Sequence, residues 1–133
     1  MAGDQEHSER GADGAELRRE GVTRDLSQAM VRIYREQFGR GPETVSTRFS
    51  GPDVIISLLG NSLTPVEKSM LKMGEDQRLR DVRSIFQHAT EGTFRAEVER
   101  ITGRRVIGFM SDIDVHNDLS CEIFTLEPVE QGG

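Results

Sequence analysis

A chain of 133 residues with 35% apolar and 30% charged side chains is the size of one domain, with enough apolar material for a core but little to spare. Its net charge of −6 argues against general affinity for nucleic acid, which needs a basic face, and one tyrosine without tryptophan offers little base stacking. A single cysteine excludes an internal disulfide, and the longest strongly apolar run, VIISLLG, falls far short of the ~20 residues that span a bilayer.

Residues 1–20 carry six acids, three arginines and only Met1 and Leu17 as apolar side chains larger than alanine. Such a stretch buries too little surface to offset its ordering entropy, which predicts a disordered acidic tail. It lacks the apolar segment of a signal peptide and is too acidic for a transit peptide, so a cytoplasmic, non-inserted protein is expected. The folded domain is expected over 21–128, with a short flexible tail at 129–133.

From Val22 to Phe38 the apolar residues recur at intervals of three and four, one stripe of an amphipathic helix. Gly39 takes the left-handed turn after it, and Pro42, lacking an N–H, cannot continue it. Val45, Thr47 and Phe49 then alternate with Thr44, Ser46 and Arg48, a half-buried strand. The turn SGPD leads to VIISLL, a strand apolar enough to be central and close enough to pair with the first. Thr64, Pro65 and Glu67 give a cap, a first-turn proline and a capping-box partner for a second helix.

The GED stretch breaks that helix, and a third is predicted over about Gln77–Thr102. Its predicted inner stripe is Leu79, Val82, Phe86, Ala89, Phe94, Val98 and Ile101, and Gly92 marks a kink, a close approach or a break. Gly103 ends it. RRVIGFMSDIDV and LSCEIFTLE follow as two strands joined through HND. The expected fold is α+β: a two-layer sandwich of order α-ββ-α-α-ββ, with a four-stranded antiparallel sheet and helices on one face. A sheet covered on one side leaves the other partly apolar, which favours a homodimer.

The phrases GRGPETV, DVIISLLGNSLTPVEKSM, ITGRRVIGFMSDID and EIFTLE, in this order, resemble the MpsC family, named after a sodium-translocating, membrane-potential-generating system. The likeness covers about residues 22–128. Its motif residues fall at Gly39, Gly41, Pro42, Gly60, Leu63, Thr64, Pro65, Glu67, Gly103 and Asp112. The resemblance implies a small cytoplasmic domain near systems that move ions or inorganic carbon across membranes, and hence a membrane-protein partner. It implies no mechanism.

The densest set of reactive side chains is SDIDVHNDLSCE. In an extended strand Asp112, Asp114 and His116 share a face and can converge on a divalent metal, with Asp118 as a fourth ligand across the turn. The spacing does not fit an EF-hand loop, and aspartates at a hairpin tip also serve the turn itself. Cys121 beside Glu122 reads as a half-buried structural thiol. His88 has no metal-pairing neighbour one turn away. Gly39–Arg40–Gly41 closes a helix, the reverse of a phosphate loop. Arg80 and Arg83 could take an anion, with pairing to Asp76, Asp81 or Glu75 the competing reading. The expected function is therefore a non-catalytic accessory or regulatory domain without a cofactor, acting through protein contacts. The alternative is a metal- or small-molecule-binding domain, enzymatic or not, using the Asp112/Asp114/His116 face.

Overall fold

The computed structural model describes the backbone of residues 2–129 and the side chains of residues 14–129. Three helices and four strands follow in the order α1 (Ala2–Phe38), β1 (Thr44–Ser50), β2 (Val54–Gly60), α2 (Pro65–Lys72), α3 (Asp76–Thr102), β3 (Val106–Asp114) and β4 (Leu119–Leu126). This is the expected α+β order. Residues 130–133, most of the expected C-terminal tail, lie outside the described residues.

Helix α1 starts well before the Val22–Phe38 stripe and runs through the stretch expected as a tail. The reason is local: no proline interrupts Ala2–Gly21, and Ala15, Glu16, Leu17 and Arg18 are all strong helix formers. The side chains of Ala15–Glu20 are exposed. From Val22 onward the stripe turns inward, with Leu26, Met30 and Ile33 buried.

The strand order is β1-β2-β4-β3, so each hairpin supplies one central and one edge strand, and every pairing is antiparallel. The central place of VIISLL is as expected. The main core sits between this sheet and helices α1 and α3, where Ile55, Leu59, Phe124 and Leu126 meet Leu26, Met30, Phe94 and Val98. A second cluster of Leu63, Leu79 and Val115 secures α2 and the β3–β4 turn.

Helix α3 is continuous for 27 residues, about 40 Å. Gly92 neither breaks it nor faces a crowding neighbour. The predicted inner stripe needs correcting. Val82 and Ala89 are exposed, and Arg83 and Thr90 are buried beside Leu79, Phe94 and Val98. Two apolar positions lost to polar ones because each polar group finds a partner: Thr90 Oγ1 donates to the Phe86 carbonyl at 2.6 Å, and Arg83 is described below.

The family-motif positions are mostly joints of this frame. Gly39 has φ +79°, and its N–H closes α1 on the Arg35 carbonyl. At Gly60 an added Cβ would collide with Thr44 Oγ1 on β1, so any other residue there forces the threonine hydroxyl to turn away. Thr64 and Glu67 form the capping box of α2, and Gly103 ends α3. Gly41 and Pro42 lie in the α1–β1 loop.

Candidate functional site

Four polar residues line up across the core side of the sheet. Thr47 pairs in register with Ser57, Ser57 with Glu122, and Glu122 with Ser111, one residue from each strand. Ser27 on α1 donates to Thr47 Oγ1, and Thr47 and Ser57 hydroxyls lie 2.8 Å apart. Glu122 is only 1% exposed. Its Oε1 accepts from the Tyr34 hydroxyl at 2.7 Å, whereas Oε2 and the neighbouring Ser111 Oγ are buried without a partner.

Burial pushes the Glu122 carboxyl up to about 7, although the Ser111 and Tyr34 hydroxyls and the nearby Arg83 charge pull it down. Tyr34 is raised well above its ordinary value by burial and then by Glu122. An Oε2 left without a donor favours the protonated, neutral carboxyl over the charged one. Beside the pair lies a cavity of about 10 Å³, lined by Tyr34, Phe38, Arg83, Gln87, Thr90 and Glu122 among others, roughly the room of one water.

Arg83 is the charged anchor of this region. Its Nε and Nη2 grip the two oxygens of Glu67 at 2.6 and 2.7 Å, Nη2 also donates to the Ser62 carbonyl, and its guanidinium lies 3.7 Å from the Phe38 ring centroid. Burial would raise Glu67, but the Arg83 and Thr64 hydrogen bonds outweigh it and hold the carboxyl below the usual range. The acids expected to pair with Arg83 are occupied elsewhere: Asp76 by His116, Asp81 by Gln77 and Glu75 by Arg78. Arg80 is exposed.

The hairpin residues do not converge. His116 leaves the strand, and its Nε2 reaches Asp76 Oδ2 at the start of α3, 2.7 Å away. Asp114 accepts from the Asn117 backbone and side chain, and these bonds hold its carboxyl below the usual value. Asp118 Oδ1 accepts from the Ser62 and Leu63 backbone N–H groups at 2.8 and 3.1 Å, closing the loop into α2. Asp112 is exposed and bonds the N–H of Ile113. Among the described residues no three His, Cys, Asp or Glu side chains gather as a metal site. The expected shared face fails because the strand ends at Asp114, and alternation ends with it.

Cys121 is half-buried on the outer face of the sheet, and burial, then Glu122 and Asp112, push its thiol up, away from a nucleophilic thiolate. His88 is exposed. Arg40, between Gly39 and Gly41, donates to the Leu63 and Asn61 carbonyls.

Sequence reading missed Tyr34, Glu122 and Arg83 as one group. The signal was present in β4, where Glu122 has the same parity as Phe124 and Leu126 and must point inward with them.

The outer face of the sheet is the remaining feature. Ile56, Leu58, Met110, Cys121 and Ile123 share it, and Leu58 and Met110 are 41% and 61% exposed. No helix of the described residues is long and apolar enough to cross a membrane.

These features define a small α+β domain with a polar stripe inside its core and one uncovered sheet face. The family model described as Na+-translocating membrane potential-generating system (MpsC) matches residues 18–128, and the chain belongs to this family. No curated protein and no solved structure matches the chain at a significant level.

Proposed function

We propose that the domain is a non-catalytic accessory or regulatory module that acts through protein contacts, linked to a membrane system that moves ions or inorganic carbon. The family description supports the membrane context. The observation that carries the protein-contact reading is the uncovered apolar sheet face, with Ile56, Leu58, Cys121 and Ile123 at its centre.

A second copy of the chain fits this face. Arg48 stands on its β1 edge, and Asp112 and Asp114 stand on the opposite β3 edge. Two such sheets packed face to face, with a two-fold axis parallel to the strands, set β1 of each copy over β3 of the other. That arrangement brings basic edge to acidic edge twice, as an isologous contact requires. The reactive side chains of the hairpin are each engaged in a local bond, which favours this reading over a metal- or substrate-binding one.

Light scattering tests the dimer: a mass near twice 14.9 kDa is expected, and a clean monomer at all concentrations would refute it. Affinity capture from the membranes of the source cell tests the context. A defined integral-membrane complex is expected, and recovery of only abundant unrelated proteins would count against it.

A further inference from the structure

In a chain of net charge −6, the groove between α1 and β1 is basic. It lies between the N-terminal half of the described part of α1 and strand β1, is open, and has a volume of about 560 Å³. Arg19, Thr23, Arg24 and Ser27 form its helix side, spaced so as to share one helix face. Arg19, Arg24 and Arg48 make no ion pair among the described residues, and Glu20 is the one acid lining the groove.

The strand side is every residue from Val45 to Phe49. Residues of both parities can line one groove only where it runs along the backbone edge, since alternate side chains leave on opposite faces. Strand β1 has β2 as its one neighbour, so its other edge presents unpaired N–H and C=O groups to this groove. Arg19 is held in place there, its guanidinium 5.0 Å from the Phe49 ring centroid. Val45 and Phe49 are half-buried and add apolar surface beside the arginines.

We infer that this groove receives an acidic segment of a partner protein in extended conformation, which adds to the β1 edge as a further strand and sets its carboxylates against Arg19 and Arg24. Main-chain bonds to the edge supply affinity, and the alternating side chains supply selection for acid at the positions facing α1. The positive groove on an acidic protein also steers such a segment to this site. The inference rests on the protein-contact reading and names the chemistry of the partner. It uses a surface distinct from the outer face of the sheet, with Arg48 at the seam between them.

The test uses the full chain and a fluorescent peptide of alternating glutamate and valine, followed by anisotropy. Saturable binding that weakens with salt is expected, and Arg19→Glu/Arg24→Glu should lower affinity by about tenfold or more. N-methylation of alternate peptide amides, which removes the edge bonds and keeps the charge, should abolish binding. Arg19→Ala/Arg24→Ala, with its melting temperature, guards against misfolding of the charge-reversed variant. Unchanged affinity in both variants, or undiminished binding of the methylated peptide, would overturn the inference. So would binding to phosphatidylglycerol vesicles with none to the peptide, which would assign the groove to an anionic membrane surface. If the peptide fails while the chain still captures a defined membrane complex, the groove inference alone falls. If the peptide binds as expected and no complex is captured, the membrane context falls and the groove stands.

Discussion

The phenolic hydroxyl of Tyr34 donates to Glu122 Oε1 at 2.7 Å, joining α1 to β4 across 88 residues of sequence inside the core. The other carboxylate oxygen has no partner. A buried acid with one bonded and one orphaned oxygen favours its neutral form, and stability must then depend on pH.

The sign follows from the direction of the shift. Glu122 titrates at about 7 in the folded chain against 4.5 for a free glutamate, so between these values the folded state holds a proton that the unfolded state has lost. Its contribution is fully present below about 4.5 and is lost as pH rises through about 7, on the order of 3 kcal/mol in all. Glu67 acts in the opposite sense: its depressed value gives stability at neutral pH that is lost in acid. Glu122→Gln keeps an acceptor for Tyr34 and carries no charge to bury. It should raise the melting temperature at about pH 8 and change it little at about pH 5. Melting curves for the two proteins that stay parallel across this range would refute the assignment.

Breaking the Arg83–Glu67 pair should be costly, because the surviving charge is stranded. Arg83→Ala is expected to lose about 3–5 kcal/mol in urea unfolding. Arg83→Met, which keeps the contact with Phe38, should lose clearly less. Equal losses would mean that the stranded Glu67 charge, and not packing on Phe38, carries the whole effect.

Charge exchange tests the arrangement of the proposed dimer. Arg48→Asp alone should shift the mass toward the monomer, and adding Asp112→Arg to the same chain should restore association. Leu58→Asp, at the centre of the face, should abolish it without rescue. A dimer that survives all three changes would have to use another surface.

Zinc, manganese or EDTA should leave the melting temperature unchanged, since Asp114, His116 and Asp118 each already serve a different local bond. A rise with any one metal would show that the hairpin rearranges to bind it.

The boundary between tail and domain can be checked by deletion of residues 1–20. The cation–π contact of that stretch with the sheet, Arg19 on Phe49, is worth about 0.5–1 kcal/mol. A larger loss would show that the first twenty residues belong to the folded unit.

The frame of the fold was readable because its joints are chemical: the capping box at Thr64, the glycines at helix ends and the alternation in each strand. The interior of α3 was not. Spacing alone makes Val82 and Ala89 as good a core pair as Arg83 and Thr90, and the choice depends on Glu67, contributed by another helix. His116 failed for a similar reason, since its partner Asp76 is distant in sequence and the strand ends two residues before it. Glu122 was the reverse case, a legible position whose parity simply outweighs its charge.

The row of Thr47, Ser57, Glu122 and Ser111 also governs how the two hairpins find each other. Apolar alternation alone tolerates a two-residue slip of β4 along β2, because every inward side chain would still point inward. Such a slip would set Glu122 opposite Ile55 or Leu59 and carry it away from both Ser57 and the Tyr34 hydroxyl. The buried polar row therefore works as an alignment mark: it costs stability at neutral pH and in return leaves one strand pairing open to the chain.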